Sequence, residues 1–203
     1  MAIATAACLR ALPAAARRVC GNSHRIAKFA AGLAILASLG ASLPARGAGV
    51  VLDDALRAHL AELAPVTGEA VAGARLRDRV VLVTFFASWC PPCRTEFHHL
   101  NELAIEEPGS SLTIVAVNVF EAWDENDEAR MSKFLADTAP RFHVVEGTDE
   151  TKRRFGDVDR IPTVFVFGPD GAPALHFIHA RGAKKMTATL AELREAIARA
   201  KKR

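Results

Sequence analysis

Cys90 and Cys93 stand in the run Trp89-Cys90-Pro91-Pro92-Cys93. Two cysteines with two residues between them can carry an electron pair as a dithiol–disulfide couple. The flanking sequence says where such a pair would sit. Val80 to Phe86 is an apolar, β-branched run and reads as a buried strand. After the motif, Cys93, Phe97, Leu100 and Ala104 recur on one stripe of a helix. A strand thus delivers Cys90 to the first turn of a helix, where proline costs nothing because its missing N–H has no intrahelical acceptor. The dipole and the free amides of that turn favour a thiolate on Cys90, the species that attacks a disulfide. A purely structural cross-link would close too short a loop to stabilise the chain much. A zinc site needs two further ligands, yet no cysteine follows Cys93. His98 and His99, as helical neighbours, point about 100° apart. The residues therefore predict dithiol–disulfide exchange.

The elements that must position this pair follow from periodicity. Asp53 to Leu63 predicts an amphipathic helix, and Pro65 to Ala72 a loop or weak edge strand. Val80 to Ala87 predicts a strand, Cys90 to Glu106 a helix and Leu112 to Phe120 a second buried strand. Asp124 to Asp127 caps a helix running to Thr138, Phe142 to Val145 is a short strand, and Thr148 to Phe155 a short capped helix. Val164 to Phe167 and Leu175 to His179 flank the turn Pro169-Asp170-Gly171, and Thr187 to Lys201 forms the last helix. Strands alternating with helices before a terminal hairpin predict an α/β fold, a mixed sheet with helices on both faces.

The front of the chain is different. No Asp or Glu precedes Asp53, and Arg10, Arg17, Arg18, Arg25 and Lys28 lead into an apolar run from Phe29 to Leu43. That order predicts an export signal over residues 1–47, cleaved after Gly47, or an N-terminal membrane anchor, in preference to an organelle transit peptide. The run falls short of the ~20 residues that span a bilayer comfortably. Cys8 and Cys20 fall within this leader. Of 26 basic residues six precede position 48, so residues 48–203 carry 20 basic against 23 acidic groups, a net charge of −3. The basic balance of the whole chain therefore belongs to the leader and predicts no nucleic-acid partner. Residues 48–78 read as an N-terminal helix and lead-in, and 79–203 as the main domain.

The strand–WCxxC–helix unit and the later Arg160-Ile161-Pro162-Thr163, opening a strand, resemble the thioredoxin superfamily. Three features are similar to the exported TlpA/ResA-like thiol–disulfide oxidoreductases: Ala116-Val117-Asn118-Val119, Cys93-Arg94-Thr95-Glu96, and the helix–strand insertion between Glu121 and Phe155. Three positions depart from the pattern. Thr84 stands where thioredoxins carry a buried Asp, His98 where relatives have a helix-kinking Pro, and a P-x-F-x-L lead-in is missing.

The resemblance implies roles. Cys90 is the nucleophile and Cys93 resolves the mixed disulfide, forming the redox disulfide Cys90–Cys93. Because Thr84 does not ionise usefully, Glu96, one turn beyond Cys93, is the candidate base, its pKa raised by partial burial. The other reading of Glu96 is a solvated first-turn acid held by the helix dipole. Trp89, Pro91, Pro92, Ile161 and Pro162 form the substrate-binding surface. A cis bond before Pro162 leaves the Ile161 backbone groups free to pair with a client strand. Pro91 and Pro92 remove two donors beside Cys90, so its thiolate is less stabilised and the protein more reducing.

The implied partners are proteins with disulfides, in cytochrome c maturation or at metal-site cysteines, and a membrane-bound thiol electron donor outside the cytoplasm. No flavin or nicotinamide fingerprint appears, so no cofactor is expected, and the P-x-x-x-T-x-x-C setting of a peroxidase is missing. Two alternatives use the same cysteines: a disulfide-donating oxidant, and a Cu(I) metallochaperone adding one of His143, His176 or His179.

Overall fold

The computed structural model describes residues 49–107, 109, 111–121 and 127–203. In chain order the elements are α1 (Asp54–Glu62), β1 (Pro65–Thr67), a 3₁₀ turn (Gly73–Leu76), β2 (Val80–Phe86), α2 (Pro91–Glu106), β3 (Leu112–Asn118), α3 (Asp127–Thr138), β4 (His143–Glu146), α4 (Asp149–Arg154), β5 (Thr163–Phe167), β6 (Pro173–Ile178) and α5 (Leu190–Ala200). The strands make one six-stranded sheet in the order β1-β4-β3-β2-β5-β6. β2, β3 and β4 run parallel, while β1, β5 and β6 pair antiparallel with their neighbours.

Parallel strands need helical crossovers, and these cover both sheet faces, which is why β2 and β3 are mostly apolar and buried at every position, with Thr84, Thr113 and Asn118 the polar exceptions. Alternate residues of β2 serve opposite layers. Phe85 meets Phe155 at the end of α4 with ring centroids 5.0 Å apart, whereas Phe86 meets Phe97 of α2 at 4.7 Å. Phe97 in turn packs on Phe134 of α3 at 4.8 Å. Leu82 joins Leu100 and Leu103 of α2 and Leu193 and Ile197 of α5 on the same side. The strand that leads into the cysteine motif is thus anchored in the middle of the sheet.

The predicted mixed α/β sheet is the fold observed, with the expected insertion supplying α3 and β4. β4 extends the sheet beside β3. Boundaries move by one to three residues where caps decide them. α4 begins after Thr148 and α5 after Thr189, each closed by a reciprocal capping box. The 3₁₀ turn was not expected from periodicity, being too short to show one. The leader, with Cys8 and Cys20, the break at Pro108 and the cap proposed from Asp124 lie outside the described residues. Among the described residues no helix is long and apolar enough to cross a membrane.

Candidate active site

Cys90 is the N-cap of α2, and Pro91 and Pro92 are its first two helical residues. Since neither proline has an N–H, the first free donor of the helix is that of Cys93, which lies 3.2 Å from Cys90 Sγ. The two cysteines are joined as a disulfide with their Cα atoms 5.3 Å apart. Cys90 retains 4% of its surface and Cys93 none, so only the first sulfur borders solvent. Trp89, 36% exposed, stands beside it with its indole N–H donating to the Phe120 carbonyl at 2.8 Å.

Glu96 is not a solvated first-turn acid. It is completely buried, beyond the partial burial expected of it. Thr84, also fully buried, donates its hydroxyl to Glu96 Oε1, while Oε2 has no partner among the described residues. Burial pushes the Glu96 carboxyl up to about 8, only partly offset by the Thr84 hydrogen bond. Three residues apart on a helix, Cys93 and Glu96 face the same side. The sequence did carry a signal: about 100° per residue puts Glu96 only ~40° from Leu100, inside the apolar stripe.

The Ile161–Pro162 bond is cis. Its loop is closed by Thr163 Oγ1 donating to the Arg160 carbonyl at 2.8 Å. The Ile161 carbonyl is approached by His179 Nε2 at 3.3 Å. Arg160 extends the same contact, donating from Nη1 to the His179 carbonyl at 3.0 Å and from Nε and Nη2 to Asp159 at 2.9 and 3.1 Å. Trp89, Cys90, Pro91, Pro92, Ile161 and Met186 surround a largely apolar groove of about 360 Å³, with Arg160 and His179 on its rim.

Several residues of this site had no local signature. Glu121 grips the approach to the cysteines: it accepts from the Ser88 backbone N–H at 2.9 Å, from the Ser88 hydroxyl, and from Asn118 Nδ2 at 2.9 Å. It lies 33 residues from Ser88 in the chain. His179 and Met186 arrive from beyond β6 in the same way. Of the histidines considered for copper, His179 alone lines the groove with Cys90. His176 stacks on Phe165 at 4.2 Å and His143 approaches the Glu69 carbonyl. Among the described residues no group of three or more His, Cys, Asp or Glu side chains is placed to hold a metal ion.

Known proteins resemble this arrangement. The chain is 28% identical over 109 residues to the thiol-disulfide oxidoreductase ResA of Bacillus subtilis (strain 168), covering 54% of this chain and 58% of that protein. It is 35% identical over 104 residues to the thiol:disulfide interchange protein CycY of Rhizobium leguminosarum bv. viciae, covering 50% and 51%. The chain thus spans little more than half the length of these relatives. The fold matches the crystal structure of a thiol:disulfide interchange protein of the thioredoxin family from Chlorobium tepidum TLS, with TM-score 0.56, 23% identity, and coverage of 68% of this chain and 90% of that one. The model of the redoxin family matches residues 44–190, from before α1 to the start of α5 and across the whole site. The chain belongs to the redoxin family.

Proposed function

We propose that this protein is an extracytoplasmic thiol–disulfide oxidoreductase that reduces disulfides in other proteins through Cys90 and Cys93. The observation that carries the reading is the cysteine pair at the head of α2, with Cys90 lining an apolar groove and Cys93 enclosed, three residues before the buried Glu96. In the reduced protein the Cys90 thiolate attacks one sulfur of a client disulfide. The client's S–S bond breaks and its second sulfur leaves as a thiolate that takes up a proton. Cys93 then gives its proton to Glu96 and attacks Cys90 Sγ, closing the Cys90–Cys93 bond and releasing the other client sulfur. That sulfur leaves as a thiolate and takes up a proton from solvent, Glu96 returns its proton to solvent, and over the whole exchange the client gains two electrons and two protons. A reduced dithiol donor, proposed to be membrane-bound, must return them. Client cysteines in cytochrome c maturation or at metal sites are proposed from the resemblance.

Trp89, Pro91, Pro92, Ile161 and Pro162 are proposed to receive the client, with Trp89 and the prolines as an apolar shelf. Pro91 and Pro92 leave Cys93 as the nearest free helical N–H to Cys90 Sγ, which supports a weakly stabilised thiolate and therefore a reducing couple. Equilibrating the protein in thiol redox buffers tests this. A reduction potential near thioredoxin's, about −270 mV, is expected. A value near −120 mV would make the protein a disulfide donor.

Glu96 supports a second prediction. A base whose pKa lies near that of the thiol it serves is well matched for proton transfer. Resolution of the mixed disulfide should rise with pH and level off near the Glu96 value of about 8. In Glu96→Gln the rate should fall and this inflection should vanish, as read by stopped-flow release of a thiol client; an unchanged profile removes Glu96 from the mechanism. Stability carries the same signature. The folded value lies above the ordinary 4.5, so the folded state holds this proton more tightly and its contribution is fully present only at lower pH. It is lost as pH rises through about 8, and Glu96→Gln should show a flatter unfolding free energy over that interval.

A further inference from the structure

The groove at Cys90 continues into a surface rich in cations. On the side of the segment after β6, a shelf of Pro91, Pro92, Thr95, Lys184, Lys185 and Met186 continues from it, sharing both prolines and Met186 with the groove lining. Arg160 lies on the rim, and Arg181, with 82% of its side chain exposed, follows in the same segment. Two acids oppose these four cations. Asp159 pairs with Arg160 and, at 3.3 Å, with Arg181; Glu192 pairs with Lys185. Lys184 is exposed and, among the described residues, pairs with no acid. The patch keeps a positive excess although residues 48–203 are net acidic.

A separate cleft is lined by acids. Glu121, which holds Ser88 just before Trp89, borders a second cleft with Asp127, Glu128 and Glu146, where Arg130 pairs with Asp127. Burial and the charge of Glu121 raise the Glu146 carboxyl above its usual range.

Apolar walls beside a charged rim focus the field at the groove mouth. We propose that the Arg181–Lys184–Lys185 segment is a client-selecting surface, and that the preferred client carries acidic side chains next to its reactive disulfide. The inference rests on the redox reading above and names the chemistry of its substrate. Charge of this kind acts mainly on encounter rate and fades with salt.

The test is stopped-flow oxidation of the pre-reduced full chain by two short peptides, each closed by one disulfide, flanked in one by Asp and in the other by Asn. Each rate is divided by that for uncharged hydroxyethyl disulfide. At low salt the Asp peptide should react about five- to tenfold faster than its Asn counterpart. In about 0.5 M NaCl, where the screening length is about 4 Å, that ratio should approach one. In the double variant Arg181→Glu, Lys184→Glu it should fall below one. A low-salt ratio of one or less overturns the inference while turnover of hydroxyethyl disulfide leaves the redox reading standing. A preference that survives the double variant overturns it too, by assigning the selection to another surface. If no disulfide is reduced, the redox reading fails and the inference with it.

Discussion

Cys90→Ser is expected to abolish disulfide reduction, by at least about a thousandfold, because a serine hydroxyl supplies no nucleophile comparable to a thiolate near neutral pH. Cys93→Ser should behave differently. The first attack still proceeds, since Cys90 borders the groove, but the enclosed second sulfur that would release the client is gone. Client and protein should then accumulate as one covalent adduct, seen as a mass shift that disappears on adding a small thiol. The asymmetry separates the two cysteines by role. Equal loss of turnover with no adduct in either variant would contradict the assignment of Cys90 as the attacking sulfur.

Arg57→Leu is expected to cost about 3 kcal/mol or more of folding stability, far from the chemistry. Arg57 sits in α1 with only 7% of its surface exposed. Its guanidinium is held by backbone carbonyls from three separate segments: Leu76 at 2.8 Å, Leu52 at 2.7 Å and Pro169 at 3.2 Å. Leucine would fill much of the space but leave those acceptors buried without donors. For a chain of this size the loss corresponds to a fall in Tm of roughly 6–12 °C. Arg57→Lys should recover part of it, because an ammonium keeps the charge but cannot reproduce the planar fork. Gly171 belongs to the same joint. Its φ of +79° and the Leu52 carbonyl 2.3 Å from where a Cβ would stand leave room for glycine alone. Denaturant unfolding of both Arg57 variants checks the prediction; a Leu variant as stable as the parent would mean that water replaces the lost donors.

These two results bear on different levels of the molecule. Cys90 lines a groove, where the proposed chemistry needs access. Arg57 ties the segment before α1 and the β5–β6 turn to the body of the fold. The polar clasp of Glu121 on Ser88 lies between these extremes, since it ties the loop after β3 to the residue that precedes Trp89.

What could be read directly from the residues was local. The cysteine pair and its spacing, the strand–helix unit around it, the apolar runs of the buried strands β2, β3 and β5 and the alternation of strands with helices are all short-range features of the chain. What needed the tertiary structure was contact at a distance. Thr84 and Glu96 are twelve residues apart, Glu121 and Ser88 33, and Arg57 and Pro169 112. Glu96 shows the difference within one residue: its place in the apolar stripe of α2 was legible, but only the packed fold buries it completely, which raises its pKa, and sets Thr84 of β2 against its carboxyl. Likewise Ile161 and Pro162 were recognisable beside Arg160 and Thr163, yet the His179 ring against the Ile161 carbonyl, from the far side of a hairpin, was not. A hydrogen bond between distant segments leaves no spacing in the chain; its partners are chosen when the helices and the sheet pack and a buried polar group must find a donor or acceptor.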